Sequence, residues 1–130
     1  MDFYSIKSSE DIALFLEKTN SLHDGYIVGV QYTNDIHTNV DENGYFINPC
    51  ATKLIIRILV TSIYDTLVEI EFDALKEWQI KDNLWDMQDT SVFFDDQNFI
   101  VWSSNSFINM NELKKHSYVI ADSMKWRIIE

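Results

Sequence analysis

The stretch that decides the fold is residues 54–72, which read LIIRILVTSIYDTLVEIEF. Apolar side chains alternate with other residues in both halves: Leu54, Ile56, Ile58 and Val60 in the first, and Val68, Ile70 and Phe72 in the second. Because successive side chains of a strand point to opposite faces, this alternation predicts two strands that each have an apolar face. The turn formers at 62–65 predict that the strands form one hairpin.

The other face of the second strand carries three carboxylates, Glu69, Glu71 and Asp73. An antiparallel sheet commonly buries one side and leaves the other to solvent, so this pattern predicts that the carboxylates are exposed. The first strand is apolar on both faces apart from Lys53, Arg57 and Thr61, which is typical of a strand in the centre of a sheet.

One strong helix is predicted at residues 9–20, with Ser9 able to cap it and with Ile12, Phe15 and Leu16 along one face. Because so short a helix is not stable alone, we expect it to pack on the sheet. In the strand predicted at 26–33, Tyr26, Val28, Val30 and Tyr32 are expected to share one side.

Further strands are predicted from alternation and β-forming residues at 75–80, 91–94, 99–103, 117–121 and 125–129, the last two either separate or continuous. Residues 104–116 fit either a loop or one helical turn. About six to eight strands in mostly hairpin order predict an α+β fold. We expect a mostly antiparallel, strongly curled or barrel-like sheet with the N-terminal helix packed on it, and residues 1–130 as one domain.

The net charge of −11 is concentrated in the middle of the chain, where residues 65–96 hold ten acidic and two basic residues. Such a charge disfavours direct binding to nucleic acid phosphates, because like charges repel. It speeds encounter with a basic partner. The charge pattern therefore predicts a basic protein as partner and no nucleic acid.

The single cysteine, Cys50, cannot form an internal disulfide, which favours a reducing compartment. The first residues lack a basic stretch followed by an apolar run, and no segment approaches the roughly 18 apolar residues of a membrane span. We therefore expect a cytoplasmic protein without membrane insertion.

Few residues point to catalysis. His23 and Asp24 combine an imidazole and a carboxylate, which together bind divalent metals, but the favoured interpretation of this adjacent pair is a turn between helix and strand. The segment 41–44 resembles a calcium loop, yet the twelfth position from Asp41 is Thr52 and not a glutamate. We predict no catalytic residue, no metal site and no cofactor.

Aromatic residues lie among carboxylates between residues 69 and 96, a mixture that protein interfaces favour. The predicted partner-binding residues are Glu69, Glu71, Asp73, Glu77, Trp78, Asp82, Trp85 and Asp86. In the alternative interpretation, the aromatic residues belong to the core and the carboxylates form an ordinary solvated face.

The segment Leu22–Ile27, LHDGYI, followed by an apolar strand resembles the start of small uncharacterised bacterial proteins that begin with Leu-His-Asp and then a strand. Some of these look like immunity proteins of toxin loci. Residues 68–72 with Trp78, and residues 125–128, are similar in style to the middle and end of that group. The resemblance implies no catalytic residue.

Three functional hypotheses follow from these observations. The first is a non-enzymatic bacterial protein-binding module, in its specific form an immunity protein that covers the active site of a basic toxin with an acidic sheet face. The second is a small metal-dependent hydrolase using His23 and Asp24. The third is a structural protein that forms homo-oligomers by pairing exposed edge strands.

Overall fold

The computed structural model describes residues 2–35, 40–45, 52–81, 87–106 and 110–129. Within these ranges the chain forms an α+β fold with one main helix and a seven-stranded antiparallel sheet. None of the described helices is long and apolar enough to cross a membrane. The elements in chain order are β1 (Tyr4–Ile6), α1 (Ser9–Lys18), β2 (Gly25–Asn34), β3 (Thr52–Val60), β4 (Thr66–Gln79), β5 (Ser91–Phe94), β6 (Ile100–Ser103), α2 (Met110–Leu113) and β7 (Tyr118–Ile129).

The strand order is β2-β3-β4-β7-β6-β5, with β1 placed beside β7. The C-terminal strand β7 is therefore central: it pairs with β4 along one side, and on the other with β6 at 118–121 and β1 at 124–126. The two hairpins β3–β4 and β5–β6 form as predicted. β7 is continuous, which decides between the two alternatives for the C-terminal segments.

The sheet is open, so the prediction of a strongly curled or barrel-like sheet is wrong. β2 and β5 are its two edges and do not pair with each other in the described residues. One backbone bridge, between Gly25 and Met87, joins the start of β2 to the segment before β5. Hairpin order specifies which neighbours in sequence pair, whereas closure requires the two outer strands to match, and here they differ in length by six residues (ten against four).

A register shift in β2 separates side chains that were expected to share one face. The shift lies between Ile27 and Gly29, so Tyr26 lies opposite Leu59 whereas Val30 lies opposite Ile56. A β-bulge of this kind places one extra residue in one strand, and the alternation of faces is therefore not kept across it. Tyr26 lies on the opposite side of the sheet from Val30, and the expected common face is wrong.

β4 continues past the predicted end of the hairpin and changes direction on the way. Ala74 has a positive φ of 57°, and the register against β7 shifts between Leu75 and Glu77. Beyond this point the strand pairs with the start of β7, so that Trp78 lies opposite Val119. The bend places Trp78 where it contacts the edge strand β2.

Helix α1 packs on the sheet as predicted, with its cap one residue earlier than expected. The Ser8 side chain accepts a hydrogen bond from the Asp11 backbone N–H, which satisfies one of the free donors of the first turn. Phe15 is completely buried and meets Trp126 of β7 edge to face, with ring centroids 5.4 Å apart. The main core lies between the helix and the apolar face of β3, β4 and β7.

Candidate binding surface

Glu69 lies at the centre of an ionic network on the face of the sheet opposite the core. In the register of β3, β4 and β7 it has Arg57 on one side and Arg127 on the other. Nε and Nη2 of Arg57 each lie 3.0 Å from Glu69 Oε1, and Nη2 of Arg127 lies 2.6 Å from Oε2. Both carboxylate oxygens are therefore engaged by guanidinium groups, the stronger kind of charge-assisted hydrogen bond.

Glu71, two residues further along β4, forms ion pairs with two lysines. Lys125 Nζ lies 2.8 Å from Glu71 Oε2, and Lys53 Nζ lies 3.7 Å from Oε1. Phe3 packs over the same side, with its ring centroid 4.9 Å from Lys125 Nζ and 4.5 Å from Arg127 Cζ. We call this set the ionic network: Lys53, Arg57, Glu69, Glu71, Asp73, Lys125 and Arg127.

The prediction that Glu69 and Glu71 face solvent is wrong. Their residues are only 2% and 7% exposed, although they lie on the side of the sheet away from the core. The long basic side chains cover them, and the Arg57 side chain is itself 49% exposed. The outermost charges of this face are therefore cations, which is the reverse of the expected acidic surface.

The charge of the chain is also distributed differently from the prediction. The ionic network contains four of the ten basic residues and three of the 21 acidic residues, a formal charge of +1. The rest of the chain holds the other 18 acidic and six basic residues. The strong negative charge thus belongs to the other surfaces, and the acidic face of β4 does not account for it.

Asp73 is a carboxyl group of the ionic network whose ionised form is disfavoured by the fold. Burial and the neighbouring Glu71 raise the pKa of Asp73 above its ordinary value of 3.8, although Lys53 at 3.9 Å acts in the opposite direction. A carboxyl group whose pKa is raised by folding is disfavoured in its ionised form, so the folded state loses stability as the pH rises from 3.8 through the folded pKa.

The variant Asp73→Asn is therefore expected to melt at a higher temperature than the parent chain at neutral pH, and the gain is expected to vanish below pH 3.8. Thermal unfolding measured across this pH range tests both expectations. Asp96→Asn is the matched control, because it removes one exposed carboxylate at a hairpin tip. An equal gain from the control would assign the effect to net charge and contradict the local explanation.

Outside the ionic network, Trp78 and Glu77 are the predicted contact residues that are accessible among those the structure describes. Trp78 is 37% exposed, and its ring stacks on Tyr32 of β2 with centroids 5.5 Å apart and planes at 26°. Glu77 is half exposed and lies 3.8 Å from Lys114. Val30 and Tyr32 share one side of β2 and are 43% and 48% exposed. We define the aromatic patch as Val30, Tyr32 and Trp78.

The sequence did not identify Tyr32 as a contact residue, because its stacking on Trp78 depends on the bend in β4. Of the remaining predicted contacts, Asp82, Trp85 and Asp86 lie outside the described residues. His37 and Cys50 lie outside them as well.

The Leu-His-Asp segment follows a left-handed turn that connects α1 to β2. Asn20, Ser21 and Leu22 have φ values of 53°, 54° and 54°, and Asp24 has 59°. Each such non-glycine residue costs roughly 1–2 kcal/mol, so the surroundings must hold the turn in place. Leu22 is fully buried. Hydrogen bonds to neighbouring segments also hold the turn, among them Thr90 N to Ser21 O, Asp24 N to Met87 O, and Thr61 Oγ1 to Asp24 O.

His23 projects from this turn between two carboxylates. Its Nε2 lies 3.6 Å from Asp24 Oδ1, and its Nδ1 lies 3.8 Å from Asp89 Oδ1. Because a carbonyl oxygen only accepts, Nδ1 donates to the Gln88 carbonyl at 2.5 Å. In the part of the chain that the structure describes, no group of three or more histidine, cysteine or acidic side chains has the geometry of a metal site.

Comparison with known proteins adds no further constraint: no family model, no curated protein and no solved structure matches the chain.

Proposed function

We propose that this chain is a non-enzymatic protein-binding module that recognises a basic protein through the aromatic patch and the carboxylates near it. An immunity protein that covers the active site of a basic toxin is the specific form of this proposal. The observation that carries it is the exposed stacked pair of Tyr32 and Trp78. Tyrosine and tryptophan are the side chains most enriched at the energetic centres of protein interfaces.

The rigidity of the patch supports this function. Tyr32 extends from β2 and Trp78 from β4, so both side chains are held by strands of one sheet. Stacking restricts each ring before a partner arrives, which lowers the conformational entropy lost on binding. A pre-organised aromatic pair is therefore better suited to docking than two rings on loops.

Charge supports a basic partner. Asp35 directly follows β2 in the sequence, and Glu77 precedes Trp78 in β4, where alternation places it on the opposite face of the sheet from the Trp78 ring. Outside the ionic network the sequence holds 18 acidic residues against six basic ones. Carboxylates around an aromatic centre raise the association rate with a basic protein and pair with its Lys and Arg side chains.

Affinity capture with the immobilised chain, from extracts of the cells that encode it, tests the proposal. We expect a basic protein whose binding weakens steeply as salt is raised. In the double variant Tyr32→Ser/Trp78→Ser the affinity for that protein is expected to fall by at least about 100-fold, since interface aromatics contribute about 2 kcal/mol or more each.

The matched control is Tyr64→Asn, which removes a fully exposed tyrosine at a left-handed position in the β3–β4 turn. Asparagine tolerates that backbone conformation, so the fold is expected to be unchanged. A partner that binds the double variant as tightly as the parent chain, or whose binding does not respond to salt, would rule out the proposed surface.

A further inference from the structure

A cavity of about 270 Å³ lies beside the ionic network, on the face of the sheet opposite the core. β1 and β7 form most of its wall, and Asp73 of β4 contributes to it. The strand register explains this grouping, because Ser5 lies opposite Lys125 and Ser123 lies opposite Asp73. Lys7, the residue after β1, lines the cavity as well.

Hydrogen-bond donors line the cavity from two strands. Ser5 and Lys7 approach it from β1, and Ser123 and Lys125 approach it from β7. Each lysine ammonium supplies three donors and each serine hydroxyl supplies one. Lys7 is exposed and takes part in none of the ion pairs found within the described ranges. Its ammonium group is therefore available to a ligand.

The charge of the cavity favours an anion. Lys7 and Lys125 line it, and Lys53 lies 3.9 Å from Asp73 on the β3 side. Two carboxylates oppose these three lysines, Asp73 and Glu71, and Glu71 is already paired with Lys125 at 2.8 Å. One positive charge is therefore in excess. A ligand ammonium beside Asp73 would be repelled by the lysines, which disfavours a cationic or zwitterionic ligand.

The kind of donor indicates a phosphate group. None of the described residues that line the cavity is an arginine, so the planar, two-pronged pairing of guanidinium with carboxylate is lacking there. Lysine binds phosphate as a point charge, and serine hydroxyls commonly donate to phosphate oxygens. The volume lies just below the range of about 300–1,000 Å³ that is typical of small-molecule sites, which fits a small ion.

We propose that this cavity binds a phosphate group, as the free ion or as a monoester, between Ser5 and Lys7 on one side and Ser123 and Lys125 on the other. Donors on two strands then surround the tetrahedral group from more than one direction. The position of the four side chains is set by the pairing of β1 with β7, so the site is held by the sheet itself.

This site goes beyond the proposed function and does not depend on it. The aromatic patch lies on the other side of the sheet, since Tyr32 is opposite the buried Leu54. Loss of phosphate binding would therefore leave recognition of a basic protein unaffected, and the reverse also holds.

Titration of the purified chain with inorganic phosphate, at an ionic strength kept constant with chloride, tests the proposal. We expect saturable changes in the NMR chemical shifts of the backbone amides of residues 5–7 and 123–125. In Lys7→Gln the affinity for phosphate is expected to fall at least about tenfold, because a hydrogen bond between two charged groups is lost. Shifts that do not saturate, or an unchanged affinity in this variant, would overturn the proposal.

Lys18→Gln is the matched control. It removes the same charge from α1 on the core side, where Lys18 lies beside Trp126. We expect its affinity for phosphate to stay within about twofold of that of the parent chain, since the two groups are separated by the sheet. An equal loss in both variants would assign the effect to net charge and contradict a local site.

Asp73→Asn changes the affinity in the opposite direction. Burial and the neighbouring Glu71 raise the pKa of Asp73, while Lys53 and Lys125 lower it. A bound phosphate adds a further negative charge beside this carboxylate, so the variant is expected to bind phosphate about three- to tenfold more tightly at neutral pH. Weaker binding by the variant would mean that Asp73 attracts the ligand, and would refute an anion site.

Two further probes define the ligand. Methyl phosphate that binds at least as tightly as inorganic phosphate would identify a monoester, and its exclusion would identify the free ion; both results support the site. Acetate is expected to bind more weakly than phosphate, because it carries less charge and fewer acceptor oxygens. Acetate that binds as tightly as phosphate would show that the cavity does not select phosphate, and would overturn the proposal.

Discussion

Replacing Glu69 by alanine is expected to lower the free energy of unfolding by about 3 kcal/mol. The variant leaves Arg57 and Arg127 facing each other without the carboxylate that both of them bind. The loss lies at the lower end of the range for broken buried ion pairs, because both arginines are partly exposed and regain water. Denaturant unfolding monitored by tryptophan fluorescence measures the effect.

Glu17→Ala is the control for this experiment, since Glu17 is exposed on α1 and its removal is expected to change stability by less than about 0.5 kcal/mol. A triple variant, Arg57→Met/Glu69→Leu/Arg127→Met, removes all three charges together and is expected to recover most of the loss. A Glu69→Ala variant as stable as the control would show that the ionic network contributes nothing to the free energy of unfolding.

Replacing Gly25 by alanine is expected to cost about 2–3 kcal/mol, the range for inserting a methyl group where no space exists. A Cβ at Gly25 would lie 2.7 Å from the Leu22 carbonyl oxygen and 2.9 Å from Ile58 Cγ2. Leu22 is buried and belongs to the left-handed turn, so its backbone has little freedom to withdraw. Thermal or denaturant unfolding provides the measurement.

Gly29 supplies the matched control in the same strand. A Cβ there would meet Arg57 Cβ at 3.8 Å, an ordinary contact distance, so Gly29→Ala is expected to be neutral or to stabilise by about 0.4–1 kcal/mol. Similar losses for both alanine variants would mean that the effect comes from strand backbone in general and not from the close approach at the turn.

The burial of the β4 carboxylates Glu69 and Glu71 is a feature that the sequence did not predict. Alternation correctly assigns Glu69 and Glu71 to the face opposite the core, and the hairpin turn alone places Arg57 opposite Glu69. The ion pair between Glu69 and Arg57 could therefore have been predicted from the sequence. The ion pair between Glu69 and Arg127 could not have been predicted, because the two residues are 58 positions apart. They meet because β7 lies beside β4. Strand order, and hence burial, depends on contacts that no local pattern encodes.

The functional hypothesis changes accordingly. Charge reversal at Glu69 or Glu71 is expected to disturb folding, because both side chains are buried among cations. Trp78, one of the predicted contact residues, remains part of the proposed binding surface. Its companion Tyr32 was overlooked because the two rings meet only through the bend in β4, which places Trp78 beside β2.

The left-handed turn before β2 could not be predicted from the sequence either. Asn20 has a known tolerance for left-handed backbone, but Ser21 and Leu22 do not share it, and a run of three is exceptional. Only the surrounding hydrogen bonds and the burial of Leu22 explain why the chain accepts this conformation. The Leu-His-Asp segment thus anchors the connection between α1 and the sheet.

The position of β7 has a consequence for how the protein is made. β4 and β6 are joined through β7, Tyr118–Ile129, so a nascent chain on the ribosome lacks the element that joins the two hairpins until residues 118–129 have been synthesised. At a synthesis rate of about 5–20 residues per second, β4 remains without its neighbour β7 for several seconds. This interval is when the growing polypeptide is most prone to aggregate and most dependent on chaperones.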